Sequence, residues 1–510
     1  MKNTKKDQIW NWISVFILAF VILSEALLLF QIFRLKMVPG TYLAVMAGAL
    51  VLAALLLCPL LFRKKAGKWQ KAPGYGKQIA GCILSAVLVV GCLLGSAAAG
   101  RAADTISNIT KPTVSSVILE VYVREDDPAQ YIEDTADYTF GINLSTIPEA
   151  TREILEELEE ILGKAPAVQE FDSITAQADA LMAGQVDALI LDASYLPMLE
   201  DMDGYKDFHK GIRNLHEHVV QQVVPTTQSN QTGFPTIPDR VDPEGNAFLL
   251  YISGNDARLK LLADGGSDVN ILVAINPDTH QVLMVNTPRD YYVENPAGNG
   301  ARDKLSHCGV NGINNCIGAM TNLYDLPINY YARINFSGFR TLVDAIGGVT
   351  IYSDKAFSTR HYYIYEGENH LNGDQALDYA RERKSLKGGD NDRGKNQMKL
   401  ITAMIDQLSV STLLENYQDI LKSLEGMFST SMPSDAIGKL VQHQLTKMPD
   451  WEIHSFAVTG DNGNDRCWAV GNGYGYVMYP HMDEVAYAAE LIQRVLDGEI
   501  LTDEDLVFNP

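Results

Sequence analysis

The chain has 510 residues, 46% of them hydrophobic and 20% charged, with a formal charge of −22. That length allows two to four domains at about 100–200 residues each, and abundant aliphatic side chains without low-complexity runs exclude a disordered or fibrous chain. Residues 1–99 carry eleven Lys/Arg against Asp7 and Glu25, whereas the rest carries 30 Lys/Arg against 61 acids, and so acidic a bulk without a basic stripe excludes nucleic acid as a partner.

Three apolar stretches, 9–33, 41–62 and 78–99, each approach or exceed the ~20 helical residues that cross a bilayer, and predict a transmembrane region over residues 1–104. The first starts on Lys2, Lys5 and Lys6 as a signal peptide does, but it is too long and two more spans follow. Arg63, Lys64, Lys65, Lys68, Lys71 and Lys77 separate the second and third stretches, while only Arg34 and Lys36 separate the first two. Positive loops stay in the cytoplasm. The expected arrangement is a multi-pass cell-membrane protein with a cytoplasmic amino terminus and everything from about residue 100 outside the cell. Glu25 lies inside the first span, either as a protonated, helix-packed acid or as a functional group. Cys58, Cys82 and Cys92 read as small apolar packers in the spans. Cys308 and Cys316, in HCGVNGINNC, suit a short disulfide loop or two free thiols. No CxxC occurs, so no zinc site is expected.

Residues 105–222 read as a small accessory α/β domain. SSVILEVYV is β-branched and apolar, a strand; PEATREILEELEEILG sets Ile154, Leu155, Leu158, Ile161 and Leu162 at helical spacing. ITAQADALMAGQ predicts another helix and VDALILD a buried strand. With no nucleophile or ligand cluster, a spacer or interaction role is expected. Residues 223–246, with Pro225, Pro235, Pro238 and Pro243 and no apolar period, read as a linker.

The block 247–510 interleaves strand signals (248–253, 268–275, 281–287, 328–334, 348–352, 451–458) with helix signals (312–323, 336–346, 373–383, 395–408, 483–496). That alternation predicts an α/β domain with a mixed sheet covered by helices. Leu342, Val343, Ile346 and Val349 read as ordinary core or as a lining for an apolar ligand.

Chemistry concentrates in this block. TPRDYY sets Arg289 and Asp290 directly after an apolar strand, and DYARERKSLKGGDNDRGKNQ supplies Arg381, Arg383, Asp390, Asp392, Arg393 and Gln397 within seventeen positions. Arg381 and Arg383 share a face only in extended chain, so the helix is expected to end near Arg381. Guanidinium forks suit phosphate oxygens bidentately. Two readings stay open: a convergent anion site, or a surface salt-bridge net with Asp290, Asp390 and Asp392. Asp256 and Asp268, flanking the first turn, suit either Mg²⁺ held beside a phosphate or ordinary capping.

SDVNILVAINPDTHQVLMVNTPRDYYV, DKLSHCGVNG, YYARINFSGFRTLVDAIGGVTIYSD and LNGDQALDYARERKSLKGGDNDRGKNQ, taken in order, resemble the LytR-CpsA-Psr family over about residues 247–410. The accessory segment and three spans resemble its capsule-associated branch. The resemblance implies an enzyme, a membrane-anchored phosphotransferase. It moves a glycan (capsular polysaccharide or a teichoic-acid-like polymer) from undecaprenyl pyrophosphate to a peptidoglycan sugar hydroxyl. A phosphodiester forms and undecaprenyl phosphate is released. Carried over by motif, Arg289, Arg381, Arg383 and Arg393 grip the pyrophosphate with Gln397 in support, Asp390 is a base or an arginine orienter, and Asp256 and Asp268 hold Mg²⁺ or another divalent cation. Lys304 and His307 match the branch's DKL-[ST]-H pattern, as site framing or as core. One departure stands out: Gly266 occupies the position, two before Asp268, where the family commonly has Arg, with Arg258 or Lys260 as candidate substitutes. A hydrolase of the same lipid donor and a non-catalytic scaffold of polymer export are the competing expectations.

Overall fold

The computed structural model describes residues 2–62, 76–110, 114–144, 148–202, 204–223, 243, 245–255, 265–407, 416, 419–420, 422–424, 426–471 and 473–509. Asp256, Arg258 and Lys260, nearly all of the expected linker and most of the basic 63–77 loop lie outside the described residues. The chain forms two compact units, Met1–Asn108 with Pro433–Pro449, and Ile109–Met432 with Asp450–Pro510.

The first unit holds α1 (Lys2–Leu35), α2 (Gly40–Leu61) and α3 (Gly76–Ile109), three helices long and apolar enough to cross a membrane. Val21, Ala54, Leu57, Leu61 and Val89 pack between them, while Phe16, Leu23, Val45 and Leu94 are exposed, as helices facing lipid require. Helix Ser434–Lys447 belongs to this unit. Its Gln442 side-chain amide donates to the Lys36 carbonyl (2.7 Å), and the Tyr42 hydroxyl donates to the Leu445 carbonyl (3.3 Å).

The second unit contains two sheets. The first comprises β1 (Val114–Arg124), β2 (Thr139–Ile142), β3 (Ala167–Glu170), β4 (Ala188–Asp192) and β5 (Ile212–Val223) in the order β3-β2-β4-β1-β5. Successive side chains of a strand point to opposite faces, and β4 uses both. Ala188 and Ile190 pack with Ile154 and Leu158 of α4 (Pro148–Leu162). Leu189 and Leu191 pack with α5 (Ile174–Met182) and the short α6 (Tyr195–Glu200).

The second sheet is built from β6 (Phe248–Asn255), β7 (Val269–Asn276) and β8 (Gln281–Asn286). Then follow the small pair β9 (Tyr292–Glu294) and β10 (Arg302–Lys304), and α7 (Ile313–Tyr324). β11 (Tyr330–Asn335) leads into α8 (Phe336–Ala345). The ribbons β12 (Val349–Ser353) with β15 (Gly367–Leu371), and β13 (Phe357–Ser358) with β14 (Tyr363–Ile364), precede α9 (Gly373–Arg381) and α10 (Asp390–Gln407). Last come β16 (Phe428–Thr430), β17 (Glu452–Ala457), the hairpin β18 (Gly460–Cys467) and β19 (Gly473–Pro480), and α11 (Met482–Leu496). The order is β16-β11-β6-β7-β8-β17, with β6·β11 and β8·β17 parallel and the rest antiparallel. It is the mixed sheet that the sequence predicts. Leu272, Ala274, Leu283 and Val285 face α7 and α11; Ile271, Val273, Val282 and Met284 face Met398 of α10. Cys308 and Cys316 are buried free thiols. Val343, Ile346 and Val349 lie in a packed cluster with α9 and α10.

Candidate active site

The site is framed by the backbone where β6 and β8 end and β7 begins. The Asp268 amide donates to the Gly254 carbonyl (2.7 Å), the Ser267 amide to Ser306 (2.9 Å) and the Ser306 amide to Arg289 (2.8 Å). Beneath them the Tyr251 hydroxyl donates to Asn270 Oδ1 (2.5 Å), and the Ser253 and Ser267 hydroxyls are 2.8 Å apart. A buried polar network with its partners satisfied is rigid, so Asp268 and Arg289 stand on a fixed floor.

Asp268, Arg289, Phe336, Ala380, Arg381, Arg383, Arg393 and Gln397 line one cleft of about 160 Å³. Arg289 follows β8 and forms ion pairs with Asp268, Asp290 (3.4 Å) and Asp201 (2.7 Å). Burial opposes its charge, but the three carboxylates outweigh that and raise its pKa above the ordinary value. As the sequence predicts, α9 ends at Arg381, and Glu382 is extended. The Arg381 guanidinium lies 4.9 Å from the centre of the Phe336 ring, which holds it at the mouth. Arg383 is exposed beside it. Buried Gln397 donates its amide to the Ala380 carbonyl (3.1 Å), fixing the turn that presents both arginines.

Helix α10 begins at Asp390, five residues earlier than the periodicity indicates, with Asp390 and Asp392 in its first turn, where acids suit the positive helix end. Asp390 and Arg393, three apart, form a nearly buried ion pair. A Cβ on Gly394 would lie 2.0 Å from Asn286 Nδ2. Only glycine lets this turn approach the end of β8 so closely. The two nearby acids diverge. Asp390 is raised above the usual carboxylate value, by burial first, against the pull of Arg393. Asp290 is lowered, because Arg289, Lys304, Arg393 and Arg383 together overcome its burial. Arg393 is itself lowered, by burial and then by Arg289.

Two more groups reach the cleft: Lys304, expected as site framing or as core, and Asp201, which the sequence did not single out. Buried Lys304, on β10, points its ammonium at Asp290 (3.7 Å) and Asp201 (3.9 Å). Its place in DKLSH is the signal that marks it. Asp201 follows α6 of the accessory sheet, and nothing in its acidic loop distinguishes it. His307 turns away: its ring is 2.6 Å from Asp303 Oδ1, which also accepts from the Lys304 amide (2.8 Å), while Oδ2 accepts from the Ala469 amide (2.7 Å). Cys467 completes that cluster of potential metal ligands. Its thiol is pushed up to about 12, by burial and then by Asp303, and the carboxylate is committed to hydrogen bonds, so the cluster is a clamp between β10 and the hairpin. Of the two acids expected to hold a divalent cation, the described one, Asp268, offers hard carboxylate oxygens at the cleft wall. A Cβ on Gly266 would meet only the Ser306 carbonyl, at 3.5 Å, so the position itself accommodates a side chain.

Four converging guanidiniums over a rigid floor, balanced by carboxylates, make an anion cradle with an acid of raised pKa at its side. Such an arrangement can neutralise a diphosphate and accept a proton. Among curated proteins, a transferase of Enterococcus faecalis named "polyisoprenyl-teichoic acid–peptidoglycan teichoic acid transferase TagU" is 33% identical over 213 residues, 39% of this chain and 69% of that protein. A Bacillus mycoides protein of the same name is 29% identical over 205 residues, 40% of this chain and 67% of that one. Among solved structures, Bacillus subtilis TagV is 24% identical, with a TM-score of 0.41 over 50% of this chain and 98% of that one. "TagT bound to LI-WTA" is 22% identical, with a TM-score of 0.40 over 52% and 98%. The model of the LytR_cpsA_psr family matches residues 215–490, more than half of the chain. The chain is therefore a phosphotransferase and belongs to the LytR-CpsA-Psr family.

Proposed function

We propose that the glycopolymer this family member joins to peptidoglycan arrives on undecaprenyl pyrophosphate, as a capsular polysaccharide or a teichoic-acid-like polymer, and that the arginine cleft grips its diphosphate. One observation carries the reading: Arg289, Arg381, Arg383 and Arg393 line a single cleft although they come from a post-strand turn, a helix end, a loop and a helix. Phosphoryl transfer needs charge neutralised on the non-bridging oxygens more than it needs a covalent helper, and guanidinium forks meet that need.

A wall sugar hydroxyl attacks the phosphorus that bears the glycan. Asp390, with its raised pKa, takes the hydroxyl proton; Arg393 holds Asp390 in place. The bond to the bridging oxygen breaks and undecaprenyl phosphate leaves, while Arg289, Arg381 and Arg383 bear on the oxygens that gain charge. Gln397 acts through the turn before Arg381. Asp268, with Asp256, would hold Mg²⁺ or another divalent cation, which adds positive charge at the diphosphate when bound. Three apolar helices suit a membrane anchor, and the basic first hundred residues support an amino terminus in the cytoplasm with residues from about 100 onward outside, where the wall acceptor is.

The test uses the full chain in detergent with a lipid-linked glycan, Mg²⁺ and peptidoglycan oligomers. Arg383→Ala is expected to lower wall attachment by about 10²–10³-fold. Unchanged attachment would point to the scaffold reading, and free glycan phosphate without a wall adduct, from the unsubstituted chain, would point to hydrolysis.

A further inference from the structure

The hairpin β18–β19 has two unlike faces. In its register Asn464 is opposite Tyr476 and Arg466 is opposite Tyr474, while Gly463 is opposite Val477 and Cys467 opposite Gly473. Val477 and Cys467 are fully buried, so that face is spent on packing. The other face presents Tyr474, 59% exposed, and Tyr476, 38% exposed, to solvent. The Tyr476 hydroxyl donates to Asn462 Oδ1 (2.6 Å), and the Arg466 guanidinium lies 5.4 Å from the centre of the Tyr474 ring. Two outward tyrosines held by their neighbours, with side-chain amides beside them, form a rigid surface that is apolar on the ring faces and polar around them.

This face continues from the arginine cleft. The Met478 amide donates to the Asp290 carbonyl (2.7 Å), and on the packed side of the same strand a Cβ on Gly475 would lie 3.8 Å from Lys304 Cε. Tyr476 falls between these two anchors. Its hydroxyl, raised by burial first, also feels Asp290, Asp390 and Arg383. At a rise of about 3.4 Å per residue, Tyr474 stands ~7 Å further along the strand.

We propose that the outward face of this hairpin, Tyr474 and Tyr476 with Asn462 and Asn464, binds the diphosphate-proximal sugars of the lipid-linked donor. The inference rests on the diphosphate reading of the cleft given above. A sugar bonded to a phosphate in that cleft has to emerge beside it, and Tyr476 stands at that edge. A pyranose offers an apolar face of C–H groups that packs on an aromatic ring, and its equatorial hydroxyls both give and take hydrogen bonds. An asparagine amide does the same. The peptidoglycan acceptor, whose hydroxyl approaches the reacting phosphorus opposite the leaving bridging oxygen, is the competing occupant.

The experiment measures equilibrium binding of two probes to the full chain in detergent: geranylgeranyl pyrophosphate, and the same lipid pyrophosphate carrying a disaccharide. The double variant Tyr474→Ala/Tyr476→Ala is expected to weaken the sugar-bearing probe by about tenfold and leave the bare one unchanged. Tyr476→Phe, which keeps the ring, should retain most of the affinity, and this guards against a folding defect in the double variant. Equal weakening of both probes, weakening of neither, or a rise only in the KM for wall oligomers would overturn the proposal. If the unsubstituted chain binds the bare probe and the disaccharide adds nothing, this inference alone fails; if it binds neither probe, the diphosphate reading fails and takes the inference with it.

Discussion

Asp390 and Asp290 share one field of arginines yet shift in opposite directions. Asp290 is close to Arg289 and Lys304 and stays ionised, and its charge holds those cations in place. Asp390 has one close cation and deep burial, and is left with the higher affinity for a proton. Pairs of acids pushed apart in this way mark the proton-handling group. The base must be ionised to act, so transfer should rise with pH as Asp390 titrates at its raised pKa, and level off above it. Asp390→Asn is expected to lower kcat by about 10²–10⁴-fold and to abolish that acidic limb; a pH profile of kcat that keeps the limb in the variant would assign the base elsewhere. The arginines were legible because guanidinium, aspartate and glycine recur at short, ordered spacings in DYARER and DNDRGKNQ. Lys304 was only half legible: DKLSH marks the segment, but which of its two basic side chains faces the cleft depends on His307 being taken up by Asp303.

Elements are legible where burial imposes a period. Strands β6, β7 and β8 pack apolar side chains on both faces, so they read as near-continuous apolar runs bounded by turns, and α7, α8 and α11 show a helical stripe. Strand β18 reads GDNGNDRC and carries no such signal; it is a strand because β19 pairs with it along its whole length. The start of α10 was hidden for a related reason, since its first turn faces charged partners and contains Gly394. That glycine allows a specific prediction. In Gly394→Ala the new methyl would overlap the Asn286 amide. Helix α10 must then move off the end of β8, and overpacking of this kind costs about 1–3 kcal/mol. A lower thermal midpoint is expected together with weaker diphosphate binding, because Arg393 and Asp390 lie on the same turn. A variant that loses stability but binds with full affinity would uncouple α10 placement from the cleft.

At the scale of the whole molecule, the three apolar helices and the two α/β regions follow from hydropathy and alternation alone. What sequence cannot supply is tertiary proximity. Asp201 lies 88 positions before Arg289, in a loop of ordinary acidic composition, yet its carboxylate bonds the guanidinium at 2.7 Å and stands 3.9 Å from the Lys304 ammonium. The accessory sheet thus delivers an anion to the cradle where the diphosphate reading places a phosphate. A carboxylate and a phosphate oxygen compete for the same donors, so a ligand that enters must displace Asp201 or share Arg289 with it. Asp201 is partly exposed (38%) and solvent screens the pair, so the expected effect is modest. Asp201→Asn should tighten binding of geranylgeranyl pyrophosphate by roughly fivefold, about 1 kcal/mol, with the gain shrinking as salt is added. Weaker binding in the variant would instead make Asp201 a part of the cradle that the diphosphate needs, orienting Arg289 and Lys304 without being displaced. Either result is read directly from a titration of the full chain at two ionic strengths. Only the first makes the accessory sheet a brake on the site it touches.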